Sequence, residues 1–251
     1  MRIALPARAK LNLDLDVIKR RADGFHEIRT HMQSIALHDL IEATPADRTS
    51  LVADGLPVPP GSDNIVLKAL AALEAAAGRE LPTQFHLHKR IPPGAGLGGA
   101  SSDAATALRA AKTIHALGVD LAEIAPSIGA DVPFFIAGGS ALAEGTGGHL
   151  TAQPTEPVWF AIAWPGIELS TASVYGAWDE TEGQPPNALR GAAERADVRI
   201  KEFADMLGTE WQMTGSGSAF FKRCDTQEDG LKAVASLDCW TTVTYTVGAW
   251  A

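Results

Sequence analysis

The chain of 251 residues is poor in cysteine, with only Cys224 and Cys239. Two thiols at that spacing make neither a disulfide framework nor a zinc ligand set, and they read as free thiols in apolar surroundings. Long hydrophobic runs are also lacking. The most apolar stretch, Val158 to Ile167, is far shorter than the ~20 residues of a membrane helix and contains Pro165. The start, Met1-Arg2-Ile3-Ala4, reaches Arg8 and Lys10 with no apolar signal-peptide core. Positive charge is the third shortage: 21 Lys and Arg against 30 Asp and Glu leave a net charge of −9. Such a chain has no electrostatic reason to track a nucleic-acid backbone. These absences predict a soluble, cytoplasmic protein with neither nucleic acid nor membrane as partner; a monomer or homodimer is expected, though no pattern in the sequence selects between them. A small anionic ligand stays admissible, because a local nest of backbone N–H groups outweighs a distant net charge.

Hydrophobic residues at 46% and charged residues at 20% match an ordinary globular composition. The length suits one large domain or two small ones. Leu11 to Val17 alternates apolar and polar residues, the mark of a half-buried strand, and Glu27 to Ile41 resumes a strand-compatible pattern after the Asp23-Gly24 turn. Ile65 to Glu74 is Ala/Leu-rich, preceded by Asn64 and followed by Gly78, which predicts a capped helix. A second Ala-rich helix is expected from about Ser101 to Leu117, and a short one over 121–128. Val158–Ala163 and Trp240–Val247 read as strands, and 189–195 and 198–207 as helices. Strands and helices interleave throughout, so the class is α+β, with a soft boundary near 140–155.

The densest local signal is Pro92-Pro93-Gly94-Ala95-Gly96-Leu97-Gly98-Gly99-Ala100-Ser101-Ser102-Asp103. With 24 glycines in the chain, the glycines alone prove little. Their position is what informs, between an alternating segment (Phe85 to Lys89) and an Ala-rich helix. Glycines let the backbone close on an anion, and a helix start offers unpaired N–H donors and a positive dipole end. A Walker loop would need a lysine after its second glycine, and none follows until Lys112. A dinucleotide loop would want an acidic residue about 20 positions on, where Lys112 to Gly118 has none.

Residues 92–105 resemble the phosphate-binding signature of the GHMP kinase superfamily. Ala7 to Leu13 resembles its N-terminal strand motif, and Met213 to Phe221 its C-terminal glycine motif. Arg21 to Glu27 and Ile128 to Phe135 are similar to segments of the branch whose substrate is a cytidine diphosphate-linked polyol. Five collinear segments span residue 4 to about 221. The chain departs from the pattern at Arg8, where proline is usual, at Ala100 and Gly148, and at Asn187 to Arg190, which matches a family segment only in part.

The resemblance implies a two-domain fold. A ribosomal-protein-S5-like N-terminal domain (1–145) would carry the ATP loop and catalytic residues, and a smaller ferredoxin-like domain would follow (146–251). It implies ATP as co-substrate, with Mg²⁺ held mainly by ATP oxygens and Ser102 as the one protein candidate. Lys10 and Asp131 would be catalytic, Asp131 as base or orienting carboxylate and Lys10 as its cationic partner. Read alone, Asp131 would be a capping residue and Lys10 a surface lysine. The ATP site would comprise Asn64, Lys89, Pro93, Gly94, Ala95, Gly96, Leu97, Gly98, Gly99, Ala100, Ser101 and Ser102, Asn64 being equally a helix cap. Substrate would meet Asn12, Phe25, His26 and Tyr175, with the aromatics and His26 on cytosine, while Gly215 and Gly217 shape the wall facing the polyol end. The rivals are another small-molecule kinase of the superfamily, of the homoserine or mevalonate type, and a catalytically silent metabolite sensor. His31, His86, His88, His115 and His149 form no ligand spacing; His86 and His88 share one strand face, which suits a metal or simply solvent, with solvent the preferred reading.

Overall fold

In the computed structural model, which describes residues 2–181 and 183–250, the chain builds two sheets in sequence. The first half runs β1 (Ile3–Asn12), β2 (Asp16–Arg20), β3 (His26–Pro45), β4 (Ser50–Gly55), α1 (Ile65–Ala77), β5 (Thr83–Lys89), α2 (Gly99–Ile114), α3 (Leu121–Ile124), α4 (Val132–Ala137), β6 (Ser140–Gly145) and β7 (His149–Gln153). The second half follows as β8 (Trp159–Trp164), α5 (Thr171–Trp178), α6 (Arg190–Ala196), α7 (Val198–Leu207), β9 (Gln212–Met213), β10 (Phe220–Cys224), α8 (Gln227–Val234) and β11 (Trp240–Tyr245).

The 20-residue β3 is the spine of the seven-stranded first sheet and pairs with β1, β2, β5 and β6. Helices α1 and α2 cover one face. Helix α1 buries Val66, Ala69, Leu70 and Leu73, the i, i+3, i+4, i+7 stripe that its sequence promises. They meet Ile41, Phe85, Leu87, Leu108 and Phe134 in the larger core. The second sheet is antiparallel, in the order β11-β8-β10-β9, with its own core around Val174, Leu189, Ile200 and Phe220. A third apolar cluster joins the sheets: Leu11 and Ile35 pack with Phe160, Ile162 and Phe221. No helix among the described residues is long and apolar enough to cross a membrane.

Three local expectations change. The alternating run 11–17 is not one strand, because β1 ends at Asn12 and β2 begins at Asp16. Between them Asp14 turns back on β3, accepting from the His31 backbone N–H at 2.7 Å and facing His31 Nδ1 at 2.6 Å. Helix α2 begins at Gly99, earlier than expected, with Gly98 as its left-handed N-cap (φ 72°). The β6–β7 hairpin carries 149–153 into the first sheet, so that sheet runs past the division expected at 145/146.

Candidate active site

A cleft of about 940 Å³ lies where the two sheets meet. Its floor is the loop 92–98 and the first turn of α2. No side chain caps α2, since the cap position is a glycine, so the unpaired N–H groups of its first turn open on the cleft. The loop is itself clamped between β1 and the segment that leads into β10. Lys10 N donates to Leu97 O at 3.0 Å, and Ala219 N to Ala95 O at 3.0 Å. Gly96 has φ +75°, and a Cβ there would lie 2.3 Å from Thr214 O. Its need for glycine therefore comes first from the facing 213–218 loop rather than from a ligand.

The Lys10 side chain is buried (4% exposed) and its ammonium donates to Asn12 Oδ1 and, at 2.6 Å, to Gly96 O. Burial lowers its pKa, and the nearby Asp131 carboxylate opposes that shift. Asp131 stands at the N-terminus of α4, yet its side chain makes no capping bond, so the structural role that its position suggested is not used. Asn12 ties β1 to both walls: its backbone N–H donates to Thr214 Oγ1 and its Nδ2 to Thr30 Oγ1, each at 2.8 Å.

At the other end of the cleft His26 is buried while Phe25 stands 65% exposed at the lip. Tyr175 stacks on the His26 ring, with centroids 4.8 Å apart and planes at 29°, and Trp178 meets it edge-on. His26 Nε2 lies 2.8 Å from Asp179 Oδ1, whose other oxygen pairs with Arg20 at 3.2 Å. Burial raises the Tyr175 phenol, and Asp131 adds to the rise, so the hydroxyl stays protonated.

Of the sequence candidates, Lys10, Asn12, Phe25, His26, Asn64, Lys89, Pro93 to Ser101, Asp131, Tyr175, Gly215 and Gly217 all line this one cleft. Ser102 does not: the early start of α2 turns it inward, where it is buried. Asn64 is occupied as the α1 cap, accepting from Val66 N at 3.0 Å. The Lys89 ammonium is held by Asp39 and, at 2.8 Å, by Asp103. Asp103 Oδ1 has no partner, and burial pushes that carboxyl up to about 8. Two buried acids thus share one lysine, and burial with a second acid raises Asp103 despite the cation.

Two site residues escaped the sequence reading. Asp179 carries no motif; only the α5 helix brings it to His26. Asn187 belonged to the partly matching segment, yet its Nδ2 donates to Met213 O and Gly215 O at 2.8 and 2.9 Å, holding the 213–217 loop in shape. A lone asparagine kept in a degenerate segment was the signal available.

Residues 64–139 match the family described as GHMP kinases N terminal domain. Over 94% of this chain and 95% of the relative, it is 44% identical to a 4-diphosphocytidyl-2-C-methyl-D-erythritol kinase of Geobacter sp. (strain M21). Over 90% of this chain and 87% of the relative, it is 37% identical to the enzyme of the same name from Marinobacter nauticus. Among solved structures, a 4-(cytidine 5'-diphospho)-2C-methyl-D-erythritol kinase superposes with a TM-score of 0.83 at 33% identity, covering 98% of this chain and all of that one. A mevalonate kinase, at 12% identity and a TM-score of 0.69, shares the fold.

Proposed function

The chain belongs to the 4-diphosphocytidyl-2-C-methyl-D-erythritol kinases of the GHMP superfamily, and from that membership we propose how its cleft works. The protein transfers the γ-phosphoryl group of ATP to the 2-hydroxyl of its substrate, in the non-mevalonate route to isoprenoid precursors. The triphosphate lies against the N–H groups at the start of α2, where the helix dipole and unpaired donors favour negative charge. Asp131 takes the proton of the attacking hydroxyl, and its freedom from any capping bond leaves the carboxylate available. Lys10, anchored by Asn12 and the Gly96 carbonyl, keeps a positive charge beside the phosphoryl group in transit. His26 reads the cytosine edge, oriented by Asp179, and Tyr175 and Phe25 flank the ring. Binding energy from this remote end holds the hydroxyl in place for attack.

Mg²⁺ fits the donor set at the phosphate end. The Ser101 hydroxyl is a hard oxygen donor lining the cleft and would hold the ion beside the ATP oxygens, whereas Ser102 is buried and Asp103 is tied to Lys89. When bound with ATP the ion neutralises charge on the β- and γ-phosphates.

The observation that carries this reading is the meeting in one cleft of an open helix start, a buried lysine near an uncapped aspartate, and a histidine–aspartate pair flanked by aromatics. A coupled ADP-release assay with ATP, Mg²⁺ and a panel of alcohols tests it. Turnover is expected with 4-diphosphocytidyl-2-C-methyl-D-erythritol and not with free methylerythritol, mevalonate or homoserine. Equal turnover of a substrate lacking cytosine defeats the assignment of the base-reading end.

A further inference from the structure

On the sheet face away from α1 and α2, three adjacent strands bring two histidines and two carboxylates together. His86 and His88 alternate with the buried Phe85, Leu87 and Lys89 on β5, so both imidazoles point away from the core. The pairing register sets Glu42 of β3 opposite His86, and Asp54 of β4 opposite His88. This arrangement is a product of strand order; in the sequence the two acids stand far from both histidines.

The hydrogen bonding divides the four ring nitrogens into two sets. Asp54 lies 2.7 Å from His86 Nε2 and 3.0 Å from His88 Nδ1. A carboxylate only accepts, so the ring protons sit on those two nitrogens and the lone pairs fall on His86 Nδ1 and His88 Nε2. Both of these face one oxygen, Glu42 Oε2, each at 3.8 Å, which is too long for a hydrogen bond. The three atoms lie within 4.8 Å of one another. Ligands around a tetrahedral ion with bonds of about 2.0–2.1 Å stand roughly 3.3 Å apart, so a small inward movement suffices. Asp54 occupies the place of the outer carboxylate that commonly holds ligating histidines in the correct tautomer. On the solvent side the exposed Arg2 side chain pairs with this same Glu42 Oε2, so an ion bound there would take the place of Arg2.

We propose that Glu42, His86 and His88 form a binding site for a zinc-class divalent ion, oriented by Asp54 and separate from the catalytic cleft. Two imidazoles and one carboxylate with an open fourth position suit Zn²⁺ or Co²⁺ and not Mg²⁺, which prefers all-oxygen ligands. The ion would bridge β3 and β5, with Asp54 linking the edge strand β4 to the same point.

The test is calorimetric titration of tag-free, chelator-stripped protein with Zn²⁺, and with Co²⁺ followed by its visible absorption. One equivalent is expected, with a tetrahedral Co²⁺ spectrum. It should disappear in His86→Gln, in His88→Gln and in Glu42→Gln, and persist in the control His149→Gln. Asp54→Asn should weaken binding about 10- to 100-fold without abolishing it, as loss of an outer carboxylate does. ATP turnover with Mg²⁺ alone should be unchanged in all of these variants, and circular dichroism checks that each is folded. Absence of Zn²⁺ binding to the unsubstituted protein, or one equivalent retained by folded His86→Gln/His88→Gln, overturns the proposal.

Discussion

The two ends of the cleft are built on different physical plans. The proposed phosphate end is mostly backbone: glycines at positive φ, an uncapped helix start and the Gly96 carbonyl that, with the Asn12 side chain, holds Lys10. The proposed base end is side chain: a buried histidine, its aspartate partner and three aromatic rings, drawn from β3, α5 and the turn between β2 and β3. Backbone recognition needs a particular chain path, so it concentrates in one short segment and tolerates little change. Side-chain recognition can be gathered from distant segments, and each member can be removed with a graded loss.

That contrast is sharpest at Gly96. Gly96→Val should have the largest effect, because the new side chain collides with the Thr214 carbonyl at a position whose φ of +75° already disfavours it. Binding of both ATP and substrate should be lost in calorimetry, with a fall in melting temperature. Retained ATP affinity would show that the loop path is not what binds. Asp131→Asn comes next: kcat should drop by about 10²–10⁴-fold, as for loss of a general base, with both KM values nearly unchanged. A folded variant with near-normal kcat removes Asp131 from proton transfer.

At the base end the losses should be smaller and confined to one ligand. His26→Ala is expected to raise KM for the cytidine substrate by more than tenfold while KM for ATP stays constant, since the buried base edge loses its partner. Asp179→Asn should act in the same direction by about tenfold or less, because it loosens His26 without removing it. Equal rises in both KM values would break the division between the ends. Phe25→Ala should be the mildest. The ring is 65% exposed, and a base–aromatic stack is worth ~1–3 kcal/mol, so a few-fold rise in KM is expected.

The sequence by itself determined the α+β class, the α1 stripe and its caps, and the glycine-rich run before α2. All of these are local: a helix repeats every 3.6 residues, and a backbone nest needs its glycines side by side. Only the tertiary structure decided what depends on the meeting of distant segments. It gave Gly96 a steric partner in Thr214, brought Asp179 to His26, set Asn187 under the 213–217 loop, and turned Ser102 into the core by starting α2 at Gly99. It also placed Glu42 and Asp54 on either side of the two histidines of β5. Strand order and register set such contacts, and they depend on the packing of both sheets around shared apolar cores rather than on any short pattern along the chain.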